Sequence, residues 1–143
     1  MSPKPRTPLL AADGFVRDAA ERVLLIRRKN PPSAGSWALP GGFVEENEDP
    51  RDACVRELKE ETGLDVVVER LGGVFGKPGR DPRAHTVTVV YVCRAVGGTA
   101  TGGDDAAEAR WFPPGELPSL AFAFDHREVV AALLGGPAGP VAG

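Results

Sequence analysis

Residues 85–96, HTVTVVYVCRAV, constrain the fold more tightly than any other part of the chain. The run is rich in β-branched residues, and both of its alternating faces are apolar: Val87, Val89, Tyr91 and Cys93 on one, Val90 and Val92 on the other. A strand with one wet face shows a polar residue at every second position, whereas a strand covered on both sides reads like this one. Three further β-like runs, 9–16, 22–28 and 64–76, are bounded by Gly, Pro, Asp or Asn and join it in the sheet. Helices must cover that sheet on both sides. One is predicted after Asp49 as N-cap, with Pro50 in the first helical position and Gly63 at the C-terminal stop. A second starts at Asp125, where Glu128 three residues on resembles a capping box, and Val129, Ala132 and Leu133 mark its packing face.

The chain has 143 residues, enough for one domain with a real core. Residues 1–8 and the Gly/Pro-rich tail 135–143 have little to bury and are expected to be flexible, leaving 9–134 as the folded domain. With 17 Lys+Arg against 20 Asp+Glu, the net charge of −3 gives no general reason to hold long nucleic acid. No apolar run suits a signal peptide or a membrane span, so a cytoplasmic protein without a membrane partner is expected. Cys54 and Cys93 lie in a predicted helix and a predicted strand and are expected as free buried thiols.

The first helix carries an anomaly. At about 100° per residue from Ala53, Glu57, Glu61 and Glu60 fall near 40°, 80° and 340°, on one face. Cys54, Leu58 and Val55 occupy the adjoining arc at roughly 100–200°, which can pack on the sheet. Glu57 and Glu61 repel as an i,i+4 pair, and Glu60 and Glu61 sit at the unfavourable end of the helix dipole. A solvated acidic face with ordinary ion pairs is one reading. A hard divalent cation, which prefers clustered oxygen ligands, is the other.

The pattern around these carboxylates decides between them. Gly42, five residues, Glu48, seven residues, then Arg56, Glu57, Leu58, Lys59, Glu60, Glu61, Thr62, Gly63, Leu64 resembles the Nudix box at every fixed position. The preceding GSWALPGG and the later β-rich segments are also similar to that family, so the likeness runs from about residue 9 to 134. The resemblance implies an α/β fold, the Nudix-type α/β/α sandwich with a mixed central sheet. It implies hydrolysis of a nucleoside diphosphate linked to another group, with Mg²⁺, or Mn²⁺ in its place, and a water nucleophile. Glu57 and Glu61 would be the main metal ligands, Glu60 would ligate directly or through water, and a carbonyl of Gly41 or Gly42 would complete the set. Glu48 would support the site and Arg56 would orient a glutamate.

Members of the family differ in the general base: some use a box glutamate and others an acid from a later loop. Here the later candidates are Asp104, Asp105 and Glu108, which also read as a solvated turn. Arg80 and Arg83, in a basic turn-rich segment with Lys77 and His85, suit phosphate contacts or a plain surface hairpin. Trp37 and Trp111 suit the core, or a stack on adenine. RDPRAHTVTVVYV, DDAAEARWF and LAFAFDH resemble the ADP-ribose pyrophosphatase branch, although LAFAFDH carries an extra FA against the LAFDH expected there. The expected reaction is therefore ADP-ribose to AMP and ribose 5-phosphate. Two alternatives stand beside it: a nucleoside triphosphate diphosphatase acting on 8-oxo-dGTP, and a nucleotide sensor without activity. The resemblance also leaves room for a homodimer, in which a partner builds part of the substrate pocket.

Overall fold

The computed structural model describes residues 4–103 and 106–135. Among these residues seven strands form two sheets, rather than the single sheet expected from the four long runs. The first has the order β4-β1-β6-β5, built from β1 (Leu9–Val16), β4 (Gly41–Phe43), β5 (Asp65–Phe75) and β6 (Thr86–Gly97). It is mixed, because β1 and β6 run parallel while β1 with β4 and β5 with β6 run antiparallel. The second sheet is antiparallel, with β2 (Val23–Arg28) between β3 (Trp37–Ala38) and β7 (Ala106–Phe112). Strand β7 lies where the sequence suggested an acidic turn.

The two-faced strand behaves as its pattern demands. Tyr91 and Cys93 of β6 enter an apolar cluster with Ala53, Cys54 and Leu58 of α1 (Pro50–Thr62). Val90 enters a second cluster with Val129 and Val130 of α2 (His126–Leu133), and Val92 packs against it. The domain is thus an α/β sandwich with a helix against each side. Cys54 and Cys93 are buried free thiols with sulfurs 3.8 Å apart; their contact, with burial behind it, pushes the Cys54 thiol pKa up.

Helix α1 begins and ends as predicted: Asp49 accepts from the Arg51 N–H, Pro50 opens the helix, and Gly63 closes it at φ 78°. It lies very close to β1, since a Cβ on Gly14 would come within 2.6 Å of the Leu58 side chain. Helix α2 departs from the expected cap. The Asp125 side chain makes no capping bond; Arg80 occupies it instead, at 2.8 and 2.9 Å. Val130 is buried where Ala132 was expected, joining Val129 and His126 on the inner face. No helix among the described residues is long and apolar enough to cross a membrane. The predicted tail falls almost wholly outside the described residues.

Candidate active site

The close seat of α1 on β1 and β4 aims the helix's inner carboxylates into a cleft of about 450 Å³. Glu57 and Glu61 both line it, together with Arg28, Arg80 and Arg83. Glu61 is buried, and one of its oxygens lies 3.4 Å from the Gly41 N–H. A Cβ on Gly42 would stand only 2.4 to 2.7 Å from the Glu57 carboxylate, so the absence of a side chain there is what lets strand and carboxylate meet. The carboxylates of an acidic helix thus face a cavity and a bare strand rather than open water.

Arg56 organises the outer flank. Its Nε and Nη2 donate to Glu48 at 2.8 Å each, and its Nη1 donates to Glu57 at 2.7 Å. The Arg56 bonds, with the Glu45 N–H adding to them, hold the Glu48 carboxyl down at about 2. The same bonds, the Glu48 pair first, raise the Arg56 guanidinium above its ordinary value. Glu60 is drawn to this flank at 3.3 Å from Nη1, is 42% exposed, and does not line the cleft. Two of the three glutamates on α1 therefore share the cavity, and the third faces outward. No cluster of three metal-ligating side chains occurs among the described residues. Two carboxylates with a backbone carbonyl still fit a hard divalent ion, since such ions keep several positions for water and substrate oxygens.

The remaining predicted residues separate. Arg80 lines the cleft, but its side chain is only 5% exposed and its donors go to Asp125, Thr86 and Thr88. It is a clamp between the 77–85 segment, β6 and the start of α2. Arg83 reaches the cleft with a 42% exposed side chain paired to Asp81. Trp37 does not line the cleft; it is buried edge-on to Phe112 at 4.7 Å between ring centres. Trp111 lines a separate depression with Arg17, Arg70 and Arg94. Glu108 sits on β7, paired to Arg27 at 3.0 Å and to Arg110 at 3.1 Å, outside the cleft wall. Asp104 and Asp105 lie outside the described residues.

Among the cleft residues that escaped the sequence reading are Asp13, His126 and Phe124. Burial raises the Asp13 carboxyl to about 8, with Arg80 opposing that rise. Burial also lowers His126 to about 4, so its ring is neutral near pH 7. The His126 Nδ1 accepts from the Leu39 N–H at 2.9 Å, which leaves the proton on Nε2, 3.8 Å from Asp13. The signal for Asp13 was a lone acid inside the apolar run LLAADGFV.

Fold and site together define an α/β domain with a glutamate-bearing helix beside a cleft of about 450 Å³. The chain belongs to the NUDIX domain family, whose profile matches residues 7–133. It is 47% identical over 123 residues to the ADP-ribose pyrophosphatase of Methanocaldococcus jannaschii, covering 86% of this chain and 71% of that one. Among solved structures, the NUDIX domain of Shewanella oneidensis NrtR complexed with ADP ribose matches with a TM-score of 0.77 and 27% identity, over 89% of this chain and 86% of that one. A bifunctional NMN adenylyltransferase/ADP ribose pyrophosphatase from Francisella tularensis, complexed with AMP and a Mn ion, matches with a TM-score of 0.81 and 28% identity. The match covers 90% of this chain and 41% of that one.

Proposed function

We propose that this protein hydrolyses the diphosphate bridge of ADP-ribose to give AMP and ribose 5-phosphate. The observation that carries this reading is the paired inward placement of Glu57 and Glu61 in one cleft with Arg83, in a chain 47% identical to an ADP-ribose pyrophosphatase. Glu57 and Glu61 would hold the divalent ion, Mg²⁺ with Mn²⁺ as a substitute, beside the backbone of Gly41 and Gly42. When bound, such an ion supplies positive charge against the diphosphate oxygens and acidifies a water.

The chain's own groups do the rest. Arg56, held by Glu48, keeps the Glu57 carboxylate at a set angle, so its reorientation cost is met before substrate arrives. In the metal-free protein, burial keeps Asp13 mostly protonated and His126 neutral near pH 7, and both line the cleft. Water adds to one phosphorus, the bridging P–O bond breaks, and the proton passes to a carboxylate at the site.

A panel of ADP-ribose, NADH, dinucleoside polyphosphates and 8-oxo-dGTP, assayed with Mg²⁺ on purified protein, tests this. ADP-ribose should give the highest kcat/KM, with AMP and ribose 5-phosphate as products. A triphosphate ranked first, with pyrophosphate released, would overturn the reading. Tight ADP-ribose binding without turnover would mark a sensor.

A further inference from the structure

Phe124 adopts a left-handed backbone with φ 53°, a region that bulky side chains rarely enter. Its flanks are tied down: the Ala123 N–H donates to the Trp37 carbonyl at 2.8 Å, and the His126 N–H donates to the Ala123 carbonyl at 3.1 Å. Such outliers persist where surrounding structure over-determines them, and they gather at functional sites. The segment holding it, LAFAF, is where the sequence was two residues longer than expected.

The turn delivers the Phe124 ring to the cleft, where Arg83 lies 5.2 Å from its centre. Arg83 also lies 5.7 Å from the centre of the Phe43 ring, which is 42% exposed on the strand that carries Gly42. One edge of the guanidinium is already taken, with Nε and Nη2 donating to Asp81 at 3.1 and 2.8 Å. Burial alone would push the Asp81 carboxyl up, but these bonds prevail and lower it. Nη1 has no hydrogen-bond partner among the described residues.

We propose that Phe43 and Phe124 are positioning residues that fix the plane of Arg83, so that its open Nη1 edge donates to a non-bridging oxygen of the substrate diphosphate. A guanidinium confined by two rings and a carboxylate donates in one direction only, and its planar N–H geometry matches phosphate oxygens. The proposal uses the ADP-ribose reading only for the identity of the test substrate.

A double-mutant cycle tests the coupling: wild type, Phe124→Leu, Arg83→Ala and the double variant. kcat/KM is measured for ADP-ribose with Mg²⁺, and Kd by calorimetry on the metal-free protein. Leucine keeps an apolar side chain on the same backbone but lacks the aromatic face. Arg83→Ala should lower kcat/KM by about 10- to 100-fold, the range of a lost charge-assisted bond. Phe124→Leu should lower it by roughly 3- to 10-fold in the wild-type background, and by no more than about twofold when Arg83 is absent. Arg83→Lys, which keeps the charge but not the plane, should do little better than alanine. If Phe124→Leu costs the same factor in both backgrounds, the ring touches the ligand or merely supports the fold, and the proposal falls. It also falls if Arg83→Ala changes neither kcat/KM nor Kd. Should wild type fail to hydrolyse ADP-ribose, only the substrate reading is lost. The same cycle on whichever substrate ranks first then decides the positioning role.

Discussion

Arg56 Nη1 stands 2.7 Å from Glu57 Oε1 but 3.3 Å from the nearer oxygen of Glu60. The box arginine therefore partners the inward glutamate in preference to the outward one. This sets the sign of a stability effect that helix repulsion alone would reverse. Considered by itself, the Glu57/Glu61 pair predicts that neutralising Glu57 relieves strain in the metal-free protein. With Arg56 as its partner, Glu57→Gln exchanges a charge-assisted bond for a neutral one and should lower metal-free stability by about 1 kcal/mol. The same change should shrink the rise in melting temperature that Mg²⁺ produces by linkage. Calorimetric melts in EDTA and in saturating Mg²⁺ check both halves. An unchanged metal-induced gain would remove Glu57 from the ligand set.

Gly42→Ala separates activity from folding at the same point. The added Cβ would meet the Glu57 carboxyl carbon at 2.4 Å. That group is the end of a flexible side chain, so it can swing aside without moving the helix. Stability should change by less than about 1 kcal/mol, because no buried apolar contact is lost. Hydrolysis should fall by 10²-fold or more, roughly the cost of displacing a group essential to the reaction. A variant that retains most of its kcat would show that Glu57 is not held against this strand, and one that unfolds would show that the carboxylate cannot swing aside.

The box helix was legible because its boundaries are chemical: Asp49, Pro50 and Gly63 act locally, and α1 runs Pro50–Thr62 between them. The long strands were legible from β-branched runs, and β1 matches the predicted 9–16 throughout. The division into two sheets was not, since β3 and β4 are only 2 and 3 residues long, too short to carry a pattern, and exist through pairing with β2 and β1. Helical rotation placed Glu57, Glu60 and Glu61 on one face, but could not say that Arg56 draws Glu60 outward. Asp125 looked like a cap because its neighbours fit one. Its real partner, Arg80, is 45 residues away.

That distant pair yields its own prediction. Arg80 and Asp125 form a two-bonded ion pair, with the arginine side chain 5% exposed. Asp125→Ala would leave a buried guanidinium with hydrogen bonds only to Thr86 and Thr88. Loss of one member of a buried pair costs roughly 3–5 kcal/mol. Denaturant unfolding of Asp125→Ala, Arg80→Met and the double variant should show the double to be less damaged than the sum of the singles. Strict additivity would mean that the pair contributes nothing specific to docking α2.

Asp13 predicts a pH signature of opposite sign to the usual acid denaturation of carboxylates, whereas His126 acts in the usual direction. Folding raises the Asp13 carboxyl from 3.8 to about 8, mainly through burial. Its contribution to stability is therefore complete below about 3.8 and is lost as pH rises through about 8. His126 is lowered from 6.5 to about 4, so its contribution is complete above 6.5 and is lost as pH falls through about 4. The two trends oppose each other in wild type, but Asp13→Asn removes only the first. Asparagine copies the shape of the neutral acid and cannot ionise, so the variant should gain on wild type steadily from pH 5 to pH 8. At roughly 1.36 kcal/mol per unit of pKa difference, that gain is bounded above by about 4 kcal/mol. Facing charges on Arg80, Asp125 and Glu57 act on the same carboxyl, with Arg80 pulling its value down and the two acids pushing it up. Melts of both proteins in EDTA across this range decide the matter: curves that stay parallel would show that Asp13 is already ionised at pH 5, and that the cleft floor is charged rather than neutral.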